Sequence, residues 1–459
     1  MKTDNEYPVA FSINVCQLCL PAILLLAMIC GCASESENKP EETPAGSDGS
    51  STPTPAPQTA APKLEEPTAP EALAAIEKLG GKFTKNDAGQ VIGVDLAVGN
   101  ITDDDLIALA GLNHIKRLEL FGPKITDSGL EHFVGLTTLN RLGLEKTKIT
   151  DEGLKKLSAL TDLDVLQIRQ TDITNAGLQH LKPLTKLKEI DARNTNVGDE
   201  GLIALGQMDS LRSIKLQRTQ VTDAGVKHLN DLPHLERLNL IQLNSITDQA
   251  LETLAVHKDL KDLELDETQI TFNGLVHLAG LKKLERLALR QTLTLDPGIE
   301  HLGSLTNMKI LLLRGTAITD AGLKHVSNMT ELEVLDLSEN PVGQSAGAYA
   351  PLANCTKLKQ LDLWRTQTND EALDGIAALT SLRDLDLANT QITDAGLEKL
   401  QSLTNLERLN LSETKITDAG LGHLGSLPHL KKLELNLTPV TEAGVKRFKE
   451  NHPGIAITR

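Results

Sequence analysis

Aromatic residues are scarce in this sequence: one Trp, two Tyr and six Phe among 459 residues. Large aromatic side chains usually anchor part of a globular core, so a chain of this length must bury its apolar surface in another way. Hydrophobic residues still make up 40% of the sequence. Leucine takes over the role of the missing aromatics, and the regular spacing of the leucines is the main signal in the chain.

Basic charge is also in deficit, because 46 Lys and Arg face 62 Asp and Glu, for a formal net charge of −16. Proteins that bind nucleic acid need a basic face that releases counterions from the phosphates. Docking on anionic lipid through charge likewise needs a polybasic segment. The composition therefore predicts no nucleic-acid partner and no polybasic membrane surface.

Cysteine is rare beyond the N-terminus. Cys16, Cys19, Cys30 and Cys32 stand near the start of the chain, and Cys355 alone lies in the body. A single thiol supports neither a disulfide framework nor a cysteine-rich zinc site. We expect Cys355 to be a buried small hydrophobe, and we expect no metal and no cofactor.

An apolar run, LCLPAILLLAMIC at residues 18–30, is short for a membrane-spanning helix of about 20 residues. The segment that follows, Ile29-Cys30-Gly31-Cys32, resembles a bacterial lipobox. The resemblance implies that residues 1–32 are a lipoprotein signal peptide and that Cys32 is lipidated. It also implies a bacterial cell-envelope location, and Ala33 resembles the signal for outer-membrane sorting.

Two features of the N-terminus leave an alternative open. Lys2 is accompanied by Asp4 and Glu6, a weaker positive start than lipoproteins usually have. The same run could be an uncleaved anchor from Val15 to Ala33. The sequence does not decide whether the rest of the chain faces the periplasm or the cell surface.

Residues 33–70 hold eight of the nineteen prolines and almost no large apolar side chain. Such a segment cannot bury enough surface to offset its ordering entropy. We predict a disordered tether, about 35 Å in root-mean-square length if flexible. The rest of the chain would then be held near a membrane and remain free to move around its point of attachment.

From Ile101 onward the sequence is one repeat. Compare ITDEGLKKLSALTDLDVLQIRQTD (149–172) with ITDAGLEKLQSLTNLERLNLSETK (392–415). The steps between repeats are 24 residues, except one of 25 and one of 26, with starts at 101, 125, 149, 173, 197, 221, 246, 270, 294, 318, 342, 368, 392, 416 and 440. A period of this length is typical of a solenoid.

Each repeat contains two elements. The LxxLxL segment ends in alternation, as in Leu118 and Leu120, which indicates a short strand with one buried side. The GLxxLxxL segment, as in Leu154 and Leu157, spaces its leucines at helical intervals. The preceding Thr-Asp pair supplies a helix N-cap and a negative charge at the positive helix end. Stacked copies would share one continuous leucine core.

The pattern LxxLxLxxTxITDAGLxxL resembles a leucine-rich repeat, over roughly residues 101–459. The resemblance implies an α/β fold: a right-handed solenoid, or horseshoe, with parallel strands on the concave face and helices on the convex face. Threonine, as in Thr147 and Thr171, replaces most of the family's ladder asparagines, and its hydroxyl could bond buried turn amides. Residues 71–100 read as an N-terminal cap of one helix and a hairpin turning at 86–89, and residues near 440–459 read as a C-terminal cap.

Three patterns invite an enzymatic or metal-site interpretation. Gly343-Gln344-Ser345-Ala346-Gly347 matches GxSxG, but it occupies the ITDAG slot and not a strand–helix elbow. A histidine recurs on the helices, yet neighbouring helices are about 10 Å apart, too far for shared ligation at about 2 Å. No GxxxxGK[ST] phosphate loop occurs. We therefore predict no catalytic residue.

The outward positions of the strands vary while the leucines hardly change, a pattern that a recognition surface and unselected drift would both produce. One patch combines residue types enriched at binding hot spots: Arg286, Arg290, Leu312, Arg314, Trp364 and Arg365. Beside it lies an acidic ladder, expected to be a solvated strip: Asp336, Asp362, Asp384 and Asp386. Paired carboxylates could perform glycoside hydrolysis or hold Ca²⁺, but a solvated strip, or a dock for a basic partner, is favoured.

The resemblance extends to the leucine-rich-repeat lipoproteins of planctomycete-type bacteria and, more loosely, to the internalins. The ITDAGL repeat also resembles F-box substrate receptors, but no F-box precedes it. The sequence thus favours a non-catalytic, envelope-tethered protein that binds a protein or peptide through its concave face around Trp364 and the arginines, with Asp336, Asp362 and Asp386 also assigned to the site. A passive surface scaffold is the alternative, and a polysaccharide hydrolase the third hypothesis. The ligand and the oligomeric state stay open.

Overall fold

The computed structural model describes residues 69–459. The predicted signal peptide, the lipidation residue Cys32 and nearly all of the predicted tether lie outside the described residues. Within residues 69–459 no helix is long and apolar enough to cross a membrane.

The strands of the described residues form one unclosed sheet of 17 strands. Only β1 is antiparallel to its neighbour β2; the other pairs are parallel and in register, so that Leu263 lies beside Leu287 and Leu287 beside Leu311. The strands are β1 Lys82–Lys85, β2 Val91–Leu96, β3 Arg117–Phe121, β4 Arg141–Glu145, β5 Val165–Gln167, β6 Glu189–Asp191, β7 Ser213–Lys215, β8 Arg237–Asn239, β9 Asp262–Glu264, β10 Arg286–Ala288, β11 Ile310–Leu312, β12 Val334–Asp336, β13 Gln360–Asp362, β14 Asp384–Asp386, β15 Arg408–Asn410, β16 Lys432–Glu434 and β17 Ala456–Thr458.

Many of the helical segments begin at or just after a Thr-Asp pair, as those that begin at Asp151 and Asp223 do. Several are α-helices: α1 Ala69–Lys78, α2 Asp151–Leu157, α3 Asn175–Gln179, α4 Asp199–Leu205, α5 Asp223–Val226, α6 Asp248–Leu254, α7 Leu295–Leu302, α8 Asp320–Leu323, α9 Asp394–Glu398 and α10 Glu442–Asn451. The remainder are 3₁₀ turns: Asp104–Leu109, Gly129–His132, Lys227–Leu229, Gly274–Gly280, Val326–Asn328, Ala350–Asn354, Ala372–Gly375, Lys399–Ser402 and Gly420–Ser426. Segments this short gain little from α-helical bonding, which explains why many repeats use the tighter turn.

The fold is the predicted solenoid. Strands in a ladder are about 4.8 Å apart, whereas packed helices need 8–10 Å, so the strand side is the concave face. The repeat leucines of the strands, such as Leu263 and Leu287, point away from that face and are fully buried, as are the repeat leucines of the helices, such as Leu154 and Leu157. Together they form one continuous core from Ala72 to Ile455.

The threonine row behaves differently from expectation. Each hydroxyl donates to the carbonyl oxygen three residues earlier in its own repeat, as Thr268 does to Leu265 at 2.6 Å, and does not bond turn amides. The cause is the short side chain, which reaches its own turn but not the next repeat. Asn340 has the longer reach: it accepts from the amides of Thr316 and Ile318 and donates to the Leu313 carbonyl.

A second device joins the repeats. Asp199 accepts hydrogen bonds from both the amide and the hydroxyl of Thr222 in the next repeat, each 2.7 Å long. The Thr222 hydroxyl in turn accepts from the Ala224 amide and caps α5. We call the pair of hydrogen bonds from Thr to Asp the Asp–Thr interlock; it recurs in Asp103–Thr126, Asp127–Thr150, Asp151–Thr174, Asp223–Thr247, Asp248–Thr271, Asp296–Thr319, Asp370–Thr393, Asp394–Thr417 and Asp418–Thr441.

The interlock explains the glycine of the ITDAG motif. A Cβ at Gly225 would overlap the carboxylate of Asp199, and glycines such as Gly153 and Gly396 meet the Asp of the preceding repeat in the same way. At these positions the glycine leaves space for the carboxylate and has no positive φ, whereas Ala250 takes the same slot beside the Asp223–Thr247 pair. In the motif Thr-Asp-x-Gly, the threonine caps the helix, the aspartate forms the interlock with the next repeat, and the glycine leaves room for the aspartate of the previous repeat.

Both ends of the core are covered. At the N-terminus, α1 ends at Lys78 before Gly80, and the hairpin of β1 and β2 turns where Asn86 accepts hydrogen bonds from the amides of Ala88 and Gln90. At the C-terminus, α10 buries Phe448, and β17 pairs with β16.

Candidate binding surface on the concave face

Three rows of side chains line the concave face, because strand residues outside the core register with their equivalents in the next repeat. The first row contains Arg286 beside Asp262, and the middle row contains Asp336 beside Asp362 and Asp386. The third row follows the strand ends and contains Arg290, Arg314 and Trp364. The residues predicted from sequence therefore do meet on one surface.

Trp364 is half-buried and lies against two arginines. The guanidinium carbons of Arg314 and Arg365 are 4.8 Å and 5.2 Å from the indole centroid, within cation–π range. Arg314 follows β11 and Trp364 follows β13, so the contact spans two strands, and Ser338 follows the strand between them. Both arginines also pair with Glu339, at 2.7 Å from Arg314 Nε and 3.0 Å from Arg365 Nη1. The indole is therefore held in a fixed place on the surface.

Arg290 spans several strands. Its Nε donates to Asp336 at 3.0 Å, and its own amide donates to Asp266 at 2.7 Å. Leu312 lies on β11, between those two carboxylates, and is only 4% exposed. Leu312 was expected to face solvent; instead the crowded concave side covers it, so it supports the surface from beneath.

Arg286 is also paired, with Glu264 at 3.3 Å and Asp262 at 3.4 Å from Nε. All four predicted arginines therefore have intramolecular carboxylate partners. Sequence reasoning missed Glu339, Asp266 and Glu264 as those partners. Glu339 follows Ser338 at a positive φ, and no local sequence signal shows that two arginines from different repeats converge on it.

The acidic ladder is buried, so the expectation of a solvated strip is wrong for Asp336 and Asp362. Neighbouring strands and the side chains of the third row exclude water from it. Asp362 is 8% exposed and accepts from the Trp364 amide at 3.0 Å. Burial, with the charges of Asp336 and Asp386 beside it, raises the pKa of Asp362 to about 7.

The flanking members of the ladder have more partners. Asp336 accepts from the Ser338 amide and hydroxyl as well as from Arg290. Asp386 accepts from the Ala388 amide and from Asn410, while burial raises its pKa to about 6. Asp384 lies outside this row, on the first row, and pairs with Arg408.

This arrangement gives little support to catalysis. The three carboxylates extend from adjacent parallel strands in one row, and turn amides, Asn410 and Arg290 hold them in place. Among residues 69–459, no group of three or more His, Cys, Asp or Glu could hold a metal ion. The chemistry available to the surface is hydrogen bonding, ion pairing and aromatic contact.

The other patterns have structural explanations. Ser345 of the GxSxG match lies in an irregular segment, exposed, with its amide donating to Asp320, so no strand–helix elbow forms. Cys355 is confirmed as a buried core residue, and burial raises its pKa to about 11. His257, which the sequence analysis did not single out, occupies a core-leucine position with its Nε2 unpartnered.

The comparisons with known proteins agree with this architecture. A family model described as the leucine-rich repeat region matches residues 201–452, and a second, described as the leucine-rich repeat, matches residues 135–158 and 184–206. Comparison with curated proteins gives no match.

Two solved structures with the same fold come from bacteria. An internalin of Listeria monocytogenes is 24% identical with a TM-score of 0.51, over 84% of this chain and 93% of that one. A leucine-rich-repeat protein of Leptospira interrogans is 17% identical with a TM-score of 0.54, over 77% of this chain and 92% of that one. At these identities the likeness concerns the fold alone.

Proposed function

This chain belongs to the leucine-rich-repeat family, and we propose that it is a non-catalytic protein that binds a protein or extended peptide through its concave face. Solenoids of this kind offer long concave surfaces that serve as binding sites. The proposal centres on Trp364 and the arginines around it, with Leu312 and the buried acidic ladder as supporting residues.

The observation that carries the proposal is the only tryptophan of the chain, half-buried on the concave face between Arg314 and Arg365. Trp364 is not part of the hydrophobic core, so core packing does not explain why a tryptophan stands at this position. Trp and Arg are enriched at binding hot spots, where a rigid, partly desolvated anchor gains most on contact. Two ion pairs to Glu339 hold these arginines before any partner arrives.

We further propose that Cys32 carries a lipid and that residues 33–70 tether the solenoid to a bacterial envelope membrane. The support is the lipobox-like Ile29-Cys30-Gly31-Cys32 and the proline-rich composition that follows it. Metabolic labelling with an alkyne fatty acid tests this: label on the protein that disappears in Cys32→Ala supports the anchor, and label that persists in the variant refutes it.

The binding proposal is tested by affinity capture from envelope extract with the full-length protein and its Trp364→Ala variant. Phe121→Ala is the matched control, because Phe121 lies in the same row and also contacts a cation, Lys146, 5.0 Å from its ring centroid. We expect a partner that is retained by the parent and by Phe121→Ala and lost by Trp364→Ala.

The affinity of that partner, once purified, is then measured for all three proteins. Loss of a hot-spot tryptophan typically costs 2 kcal/mol or more, a weakening of about thirtyfold. Equal capture by all three proteins would refute the role of Trp364. Capture of nothing above a matrix control would favour the passive surface scaffold.

A further inference from the structure

A small cavity lies on the concave face, four strands before the strand that leads to Trp364. It has a volume of about 40 Å³ and is walled by residues of β7, β8 and β9. A cavity needs only about 10–15 Å³ to admit a water molecule, so this one has room for a single small polar group. It shares no residue with the Trp364 surface.

Two oxygen atoms in the wall of this cavity have no hydrogen-bond partner. Ser213 is 0% exposed with its Oγ unpartnered, and Oδ1 of Asp262 is also buried and unpartnered. Arg286 Nε lies 3.4 Å from Asp262 Oδ1 but donates its hydrogen bond to Glu264. Buried side-chain oxygens rarely lack partners, so the pair points to a missing donor.

The donors in the wall already have other partners. Lys215 donates to Glu189 at 2.7 Å, and Asn239 donates to Glu264. Arg237 lies 3.5 Å from Glu189. Ser213 Oγ and Asp262 Oδ1 can thus both accept a hydrogen bond, while the contacts of Lys215, Asn239 and Arg237 are to other carboxylates. Burial and the neighbouring Glu264 raise the pKa of the Asp262 carboxylate to about 6.

We propose that this cavity binds the ammonium group of a lysine side chain presented by the partner. An ammonium group carries three donors and no acceptor, and its bond to Asp262 would be charge-assisted. With its terminal methylene it suits the available volume, whereas the larger guanidinium of arginine does not. That the lysine belongs to a protein partner rests on the proposed function, whereas the preference of the cavity for an ammonium group does not.

The test uses the full-length protein and Nα-acetyl-L-lysine N-methylamide as the probe, observed by saturation-transfer NMR of the probe's ε-methylene protons. We expect a dissociation constant in the millimolar range. Ser213→Ala and Asp262→Asn, both close in shape to the parent residues, should weaken binding at least tenfold. Asp384→Asn is the matched control, because Asp384 lies in the same row as Asp262 but does not line this cavity.

Two further probes define the group that binds. The Nζ-acetylated form of the probe is neutral and too bulky, and we expect it not to bind. Methylammonium distinguishes the sources: the lysine probe should bind several-fold more tightly because its stem packs along the concave face. Equal affinity of the two would assign the cavity to a free amine and overturn the partner's lysine.

Unchanged binding in both cavity variants, binding of the acetylated probe, or no probe binding at all would overturn the proposal. These outcomes are independent of Trp364. If the lysine probe binds the cavity but capture of a partner does not depend on Trp364, the proposed function alone is overturned. If capture depends on Trp364 but the probe does not bind the cavity, the cavity assignment alone is overturned.

Discussion

The buried acidic ladder makes a prediction that can be worked out in full: Asp362→Asn should stabilise the protein, and the gain should grow with pH. The asparagine keeps the oxygen that accepts from the Trp364 amide. It removes the negative charge that burial and the neighbouring carboxylates of Asp336 and Asp386 disfavour. Because only the charge changes, the variant isolates the electrostatic cost of the ladder.

The magnitude follows from linkage. The pKa of Asp362 is about 7 in the folded protein, against about 3.9 for an unfolded aspartate. Below pH 4 both states are protonated and the group contributes nothing. Between about pH 4 and 7 the unfolded state releases its proton first, so the parent loses about 1.4 kcal/mol per pH unit. The loss reaches about 4 kcal/mol and is constant above pH 7.

The assay is urea unfolding followed by circular dichroism at pH 5, 6, 7 and 8. We expect the difference between Asp362→Asn and parent to rise from pH 5 to 7 and then level off. Asp384→Asn is the control: Asp384 is more exposed and pairs with Arg408 at 2.8 Å, so its substitution should bring a small loss and no such trend. A gain equal at pH 5 and pH 8, or a loss at pH 8, would refute the burial argument.

Three other perturbations test the core and the repeat motif. His257→Leu should remove an acid-sensitive site. Burial lowers the pKa of His257, so the parent loses stability as the pH falls below about 6.5. Thermal melts in which parent and variant differ by the same amount at pH 7.5 and at pH 5 would contradict this. Asp199→Ala leaves the Thr222 amide and hydroxyl without their acceptor and should cost about 1–3 kcal/mol of stability. Gly225→Ala should destabilise the parent protein but should not further destabilise a protein that already carries Asp199→Ala. Urea titrations in which the two losses add would count against the interlock. Leu437→Asn should stabilise by up to about 1 kcal/mol, because Leu437 is 81% exposed at a φ of 56° that asparagine tolerates better; a lower melting temperature would be inconsistent with this reasoning.

The fold was predictable because each repeat carries the same strand and helix patterns. The leucines of the strand segment alternate, those of the helical segment recur at helical spacing, and Thr-Asp begins many of the helices, such as α2 and α5. A prediction that rests on many equivalent copies is insensitive to one irregular repeat, such as the one around Ser345. The interlock was not predictable in the same way, because the sequence shows Asp199 and Gly225 only as members of the same motif, one repeat apart.

The candidate surface was predictable in position but not in physical state. Alternation and repeat spacing brought Arg290, Arg314 and Trp364 to one face, as the register shows. They could not show that Arg290 reaches Asp336 two strands away, or that Asp362 is buried. Such contacts depend on side-chain length across a curved sheet, and a pattern of residue types carries no information on that distance.

The internal pairing of the arginines changes how the surface would recognise a partner. A free basic patch would attract an acidic partner at long range, and its binding would weaken with salt. Here Arg314 and Arg365 share Glu339, and Arg290 pairs with Asp266 and Asp336. With these charges matched, recognition would depend on contact with the indole of Trp364 and its fixed surroundings. We therefore expect affinity for a Trp364-dependent partner to change less than tenfold between about 0.05 and 0.5 M salt; a steeper fall would mean that unpaired charge, and not the tryptophan, drives binding.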